Sequence, residues 1–138
     1  MSKTIRIILF AALATLAFSS QAQNYIGLHK DIIRDKVKKE LPGFAFTKEV
    51  KNSNRSFIKF ENGFEEQTLI CMLSSEGVCT SMSRMYNTWL YNRLRDELLR
   101  KYGESANSIW YEEVNGTIYE IELVKGQWFV TVITRSKD

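Results

Sequence analysis

The sequence predicts an α+β domain in which an antiparallel meander sheet of about six to seven strands is packed on one face by two helices. Three observations support this fold class. Two amphipathic stretches have helical spacing, runs of β-like residues follow each of them, and turn-forming pairs such as Asn115-Gly116 separate those runs. Tight turns join antiparallel strands, whereas parallel strands need long crossover connections.

The N-terminal segment is expected to be a cleavable secretory signal peptide. Its features follow one another in the order typical of such leaders, namely two basic residues, an apolar run and two small residues before the cleavage site: Lys3, Arg6, 7–18, Ser20 and Ala22. The apolar run of about 12 residues is shorter than the roughly 20 that span a membrane. We therefore expect a signal peptide at 1–22 and one secreted or periplasmic domain at 23–138, with no membrane anchor in the mature form.

Composition argues against nucleic acid as a partner. The chain has 19 basic and 16 acidic residues, a net charge of +3. Lys3 and Arg6 leave with the predicted leader, so the mature domain has 17 basic and 16 acidic residues, a balance of +1. Phosphate binding needs clustered, uncompensated basic residues. Here they alternate with acids, as in 93–97.

The first half of the domain is predicted to be a helix followed by strands. Apolar residues recur at helical spacing over 27–41, among them Ile32, Ile33 and Val37, and Pro42-Gly43 ends the pattern. Four short β-like runs follow: 44–50, 56–60, 68–73 and 78–82. The last two form a hairpin, because the segment between them is rich in turn-forming residues.

Cys71 and Cys79 are expected to form a disulfide. They are the two cysteines of the chain, one on each strand of this hairpin. A hairpin brings its strands close enough for a bridge, and an oxidising compartment favours it. The bond would close a loop of about nine residues and stabilise the domain by up to about 3 kcal/mol. The alternatives are two separately buried thiols or a reactive pair, although the spacing is not the Cys-x-x-Cys of redox motifs.

The second half is predicted to repeat the order of helix and strands. A helix extends from Asn87, a plausible N-cap, to Gly103, a plausible C′ residue. Its apolar stripe is formed by Leu90, Tyr91, Leu94, Leu98 and Tyr102. A meander of three strands follows: 109–114, 117–124 and 127–135. The order of helix, four strands, helix and three strands suggests a tandem duplication.

The meander allows its strand register to be predicted. If Asn115-Gly116 and Lys125-Gly126 are both two-residue turns, Trp110 lies opposite Ile121 and Leu123 opposite Trp128. These pairs form a uniformly apolar face, as expected for a face that packs on helices.

The other face of the meander is mixed, and it carries the candidate binding residues. The same register puts Glu122 opposite Phe129 on this face. Exposed aromatic side chains dominate many protein and glycan contacts. The predicted recognition cluster is Tyr111, Phe129, Glu120 and Glu122, with Trp89 and Arg135 near it.

The sequence predicts no metal site, no cofactor site and no catalytic constellation. His29 is the only histidine, and the glycines stand alone rather than in a phosphate-binding loop. Glu120 and Glu122 share a strand face about 7 Å apart. That separation leaves one alternative open, a small secreted hydrolase or lyase that uses this pair or His29.

Three segments carry a resemblance of layout. They are the leader followed by 25–31, the strand-turn-strand at 68–79, and the helix end at 98–103 before a Trp-bearing strand. Their arrangement resembles small secreted bacterial envelope domains of the β-lactamase-inhibitor-like and outer-membrane-assembly-lipoprotein-like folds. The chain departs from them in having no lipobox cysteine and an incomplete inhibitor-type bridge pattern.

The resemblance implies a binding or envelope-accessory role and transfers no functional residue. We therefore expect a non-enzymatic domain that binds a protein, peptide or glycan of the cell envelope.

Overall fold

The computed structural model describes residues 24–137, so the predicted leader lies outside the described residues. Within this range the chain forms two α-helices, one 3-10 helix and seven strands. The helices are α1 (Lys30–Glu40), the 3-10 helix (Thr88–Leu90) and α2 (Tyr91–Tyr102). The strands are β1 (Ala45–Lys51), β2 (Ser56–Asn62), β3 (Gln67–Leu73), β4 (Cys79–Asn87), β5 (Ile109–Val114), β6 (Thr117–Lys125) and β7 (Phe129–Ser136).

The predicted α+β fold is confirmed. The strands form one antiparallel sheet in the order β1-β2-β3-β4-β7-β6-β5. Each half consists of a helix followed by strands, and the last strands of the two halves are β4 and β7. These two strands pair with each other and so join the halves. The tandem duplication stays a prediction.

Both helices pack on the same face of the sheet, but each covers its own half. Ile33 and Val37 of α1 belong to a buried cluster with residues of β2, β3 and β4. A second cluster forms around Trp110 of β5, Leu123 of β6 and Val130 of β7, against the apolar stripe of α2. The opposite face is not covered by either helix and carries a mixture of apolar and polar side chains, as predicted.

Helix α1 begins later than predicted. His29 is its N-cap, and the His29 Nδ1 accepts a hydrogen bond from the Asp31 backbone N–H at 3.2 Å. Ile33 and Val37, four residues apart, are fully buried. Ile32 is 50% exposed, because it projects from the neighbouring face of the helix. Its inclusion in the apolar stripe was therefore wrong.

Strand β4 is longer than predicted and changes the start of the second helix. It continues to Asn87 instead of ending near Met82. The Asn87 side chain caps the 3-10 helix, accepting from the Trp89 backbone N–H at 3.4 Å, and α2 starts only after that helix. At the other end Gly103 caps α2 with a φ of 90°, in agreement with the prediction.

The predicted register is right for one hairpin and wrong for the other. Trp110 pairs with Ile121 across β5 and β6, and the turn residues Asn115 and Gly116 both have positive φ. Leu123, however, pairs with Val132 rather than with Trp128. The partner moves by an even number of positions, so each β6 side chain keeps its predicted face.

The cause is the length of the β6–β7 turn. Lys125 pairs with Val130, and a loop at 126–128 joins the two strands. The Gly126 N–H closes this loop by donating to the Phe129 carbonyl at 2.8 Å. Trp128 therefore lies in the loop, where it is 73% exposed, and its assignment to the buried face was wrong.

Candidate functional site

Three of the predicted binding residues lie together on the uncovered face of the sheet. Tyr111 of β5 pairs with Glu120 of β6, which in turn pairs with Arg135 of β7. Glu122 is two residues farther along β6 on the same face. The Lys137 ammonium lies 4.8 Å from the centre of the Tyr111 ring.

Arg135 forms ion pairs with both of the carboxylates on which the enzymatic alternative depends. Its Nε donates to Glu120 Oε2 and its Nη2 donates to Glu122 Oε1, both at 2.6 Å. The hydrogen bond to Glu120 is the main cause of a raised pKa of the Arg135 guanidinium. One guanidinium thus forms charge-assisted hydrogen bonds with both carboxylates, and the three side chains carry a net charge of −1.

Phe129 does not join these residues, and its pairing with Glu122 was wrong. Glu122 pairs with Ile133, while Phe129 pairs with Asn87 of β4. Along β7, Phe129 is four positions from Ile133, the partner of Glu122, and six from Arg135, which places it about 13–20 Å from the ion-pair cluster at roughly 3.3 Å per residue. The predicted recognition cluster is split between the two ends of the sheet.

The end that holds Phe129 carries a set of exposed aromatic side chains, called here the end patch. Its members and their exposed fractions are Phe64 (99%), Trp89 (76%), Trp128 (73%) and Phe129 (49%). Phe64 lies in the β2–β3 turn, Trp89 in the 3-10 helix after β4, and the other two in the β6–β7 loop or at its end. The strand pairing brings all of these connections to one end of the sheet.

Hydrogen bonds hold the connections of the end patch together. The Asn87 Nδ2 donates to Glu66 Oε2 at 3.0 Å, linking the end of β4 to the β2–β3 turn. Glu66 has a φ of 54°, a conformation that a non-glycine side chain adopts at some cost in strain. At the start of the same turn, the Asn62 Oδ1 accepts from the Glu65 backbone N–H at 3.0 Å. The turn that displays Phe64 is thus fixed at both ends.

A concave surface of about 610 Å³ lies beside the end patch. It is bounded by the β2–β3 turn on one side and by the first two turns of α2 on the other. Phe64 and Trp89 form part of its wall, and Tyr86 and Leu94 also line it. Its rim is charged, with an ion pair between Arg93 and Glu97 and the two glutamates of the turn, Glu65 and Glu66.

Sequence reasoning missed half of the end patch. Phe64 follows the turn signal Asn62-Gly63, and a turn residue is a poor candidate for the core, so its exposure was readable from the sequence. Trp128 was missed because the β6–β7 turn was taken to have two residues. Trp89 was considered only as a flanking residue.

Cys71 and Cys79 lie where a disulfide could form. Both are buried in the first core cluster, 0% and 1% exposed, on the predicted hairpin. The two thiol groups lie in hydrogen-bond contact, which together with burial raises the pKa of Cys71 above its ordinary value. Their contact fits the predicted bridge, which stays a prediction.

His29 lies apart from the acidic residues of β6. It caps α1 and bridges to Val78 in the β3–β4 turn. Within residues 24–137, no three His, Cys, Asp or Glu side chains are grouped as metal ligands. In the same range, neither α-helix is long and apolar enough to cross a membrane.

Comparison of the chain with protein-family models, with curated proteins and with solved structures found no match.

Proposed function

We propose that this protein is an exported, non-enzymatic domain that binds a protein or peptide through the end patch. The observation that carries the proposal is the grouping of two tryptophans and two phenylalanines, between 49% and 99% exposed, at one end of the sheet. Single exposed apolar side chains are ordinary, but a group of large aromatic side chains at one end of a sheet is a candidate interaction site.

The size of the end patch suits a macromolecular partner. A large aromatic side chain buries about 150–250 Å² when it is covered. Weighted by their exposed fractions, the four side chains offer about 450–750 Å² of surface. One partner of a standard protein interface contributes about 800 Å². The end patch would supply more than half of such an interface, and tryptophan is the residue most enriched among binding hot spots.

The rim indicates the charge of the partner. Glu65 and Glu66 accept hydrogen bonds only from the neutral amides of Gln67 and Asn87 in residues 24–137, at 3.2 and 3.0 Å. Arg93, the basic residue of this rim, is already paired with Glu97 at 3.2 Å. The net charge of the rim is negative, which favours a partner with apolar anchors flanked by basic residues.

Export is part of the proposal and has its own test. The complete sequence is expressed in a Gram-negative host, and the N-terminus of the protein from the periplasm or medium is determined by mass spectrometry. We expect it at Gln23. A product that keeps residues 1–22 and stays with the cytoplasm would contradict export.

Binding is tested with a displayed library of random peptides selected on the purified protein. Selected peptides should be rich in apolar and basic residues. The substitutions Trp89→Ala and Trp128→Ala should each lower the affinity for these peptides by at least about 10-fold. Tyr111→Ala is the matched control, because it removes an exposed aromatic residue at the other end of the sheet and should leave affinity unchanged. Peptides that depend on Tyr111 and not on the two tryptophans would refute the end patch.

The ion pairs of the acidic residues favour the binding role over the enzymatic alternative. A hydrolase or lyase that uses Glu120 and Glu122 needs one carboxylate free to exchange a proton, and Arg135 holds both at 2.6 Å. His29, the other residue considered, accepts a backbone hydrogen bond as the N-cap of α1.

A further inference from the structure

The division of the core into two clusters leaves a cleft between the helices, called here the inter-helix cleft. It encloses about 740 Å³, within the roughly 300–1,000 Å³ of small-molecule sites. Its floor is formed by the central strands, through Leu69 of β3, Met82 of β4 and Val132 of β7. Leu41 at the end of α1 lines one side, and Leu98 lies on the α2 side.

One charged side chain lies in this mostly apolar cleft. Arg84 of β4 is half-buried among the residues that line it. Its Nε and Nη2 both donate to a single acceptor, Gln67 Oε1, at 3.1 and 2.8 Å. Its guanidinium also lies 5.1 Å from the ring centre of Phe44 and 5.4 Å from that of Tyr86.

The positive charge of Arg84 has no counter-ion in the described chain. Within residues 24–137, the ion pairs of the other arginines and lysines do not include it. A guanidinium has five N–H donors, of which Gln67 takes two. No side-chain nitrogen or oxygen in this range is fully buried without a hydrogen-bond partner, so the Arg84 Nη1, which has no such partner, is accessible to solvent.

Charge on the rim reinforces that of Arg84. Arg100 and Lys101 of α2 line the cleft, against one carboxylate, that of Glu97. Glu97 is in turn paired with Arg93. The inter-helix cleft therefore attracts an anion, and a planar guanidinium matches a carboxylate with two parallel hydrogen bonds.

We propose that the inter-helix cleft binds an amphiphile of the fatty-acid type, with its carboxylate on Arg84 and its acyl chain along the apolar floor. The cleft shares Tyr86, Leu94 and Glu97 with the concave surface beside the end patch, but none of the four end-patch residues lines it. The proposal does not depend on the proposed peptide binding. Such a ligand has one anionic group and a long apolar part. It therefore complements the single guanidinium and the apolar floor of the cleft.

The backbone of the cleft argues against a peptide in the same place. The floor consists of inner strands whose N–H and C=O groups are paired with their neighbours in the sheet. The α2 wall is helical, so its backbone groups are also paired. A peptide would enter with its own backbone groups largely unpaired, at a cost in free energy. An acyl chain carries no such groups.

The test compares three probes on the purified protein made from the complete sequence: palmitate, hexadecanol and an apolar peptide with a free C-terminal carboxylate. Binding is measured by displacement of a fluorescent fatty acid below the critical micelle concentration. We expect palmitate to bind more tightly than hexadecanol and the peptide to bind weakly or not at all. Absence of palmitate binding, equal affinity for palmitate and hexadecanol, or preference for the peptide would each overturn the proposal.

Variants locate the site. Arg84→Gln should lower the affinity for palmitate by roughly 10- to 100-fold, as expected for the loss of a charged hydrogen-bond partner. It should leave the affinity for hexadecanol unchanged. Arg55→Gln is the matched control, since Arg55 lies in the exposed β1–β2 turn. Thr134→Phe, which keeps Arg84 and fills the floor, should weaken both probes. Thermal unfolding confirms that each variant is folded, and unchanged palmitate affinity in both cleft variants would refute the site.

The two proposals fail separately. Trp89 lines the concave surface beside the end patch and does not line the inter-helix cleft. Trp89→Ala should therefore leave palmitate binding intact, whereas Arg84→Gln should leave the selected peptides bound.

Discussion

The two tryptophans of the meander provide a direct test of the β6–β7 register. Trp110 is 3% exposed and its indole Nε1–H donates to the Gly103 carbonyl at 2.9 Å, whereas Trp128 is 73% exposed in the loop. Replacement by phenylalanine removes the same atoms from each side chain, two carbons and the N–H group. The same chemical change is thus made in the core and at the surface.

The expected losses of stability differ several-fold. At Trp110, two buried carbons are worth about 1.6 kcal/mol and the lost hydrogen bond about 1 kcal/mol, a total near 2.5 kcal/mol. At Trp128 only about a quarter of the apolar part is buried, so the loss should stay below about 0.5 kcal/mol.

Urea unfolding followed by circular dichroism measures both losses. With a denaturant dependence of about 1–3 kcal/mol per M, Trp110→Phe should lower the midpoint by about 1–2 M and Trp128→Phe by no more than a few tenths. Equal losses would mean that Trp128 packs in the core, as a two-residue turn requires. No loss at Trp110 would refute the second core cluster itself.

Three further predictions concern single interactions. Arg135→Gln leaves two adjacent glutamates without a cation. Because these side chains are partly exposed, the loss of stability should be about 1 kcal/mol or less and should shrink in about 1 M salt, and an unchanged loss in salt would contradict an ionic origin. Burial raises the pKa of Tyr102 above its ordinary 10.0, so the folded state keeps the phenol neutral where the unfolded chain loses the proton. This contribution to the free energy of unfolding is present below pH 10 and falls above it. The urea midpoint should therefore decrease with rising pH between about pH 9 and pH 11, and Tyr102→Phe should make that decrease smaller. The exported protein should show no thiol reactive toward an alkylating reagent in denaturant before reduction, and the Cys71→Ser, Cys79→Ser double variant should lose up to about 3 kcal/mol of stability. Two titratable thiols in the exported protein would contradict the bridge.

Where local patterns decide a structure, the sequence predicted it. Asn115-Gly116 was recognised as a tight turn because both residues adopt positive φ readily, and the β5–β6 register followed from it. The apolar stripe of α2 was found from its spacing, and Gly103 was identified as the end of that helix. These features depend on residues a few positions apart.

Where a neighbouring strand decides a structure, the sequence was insufficient. Ser81 and Ser83 gave no sign that β4 continues to Asn87, because what makes them a strand is their pairing with β7 on one side and β3 on the other. Lys125-Gly126 looked like a two-residue turn. The pairing of Lys125 with Val130 made it a longer loop and moved Trp128 to the surface.

The candidate sites show the same limit. The sequence identified Phe129 and Tyr111 as exposed aromatics, but the sheet places them at opposite ends. The acidic pair of β6 was found, and its ion pairs with Arg135 were not, since they join residues 13 and 15 positions apart.

By itself the sequence determined the fold class, the face of most strands and the hairpin that holds both cysteines, because side-chain periodicity and turn chemistry are local properties of the chain. The tertiary structure decided which side chains meet. Phe64, Trp89 and Trp128 are distant in sequence, and only the strand order brings their connections to one end of the sheet. Only the packing of two helices on separate halves of the sheet opens the cleft that holds Arg84, which has no ion-pair partner within residues 24–137.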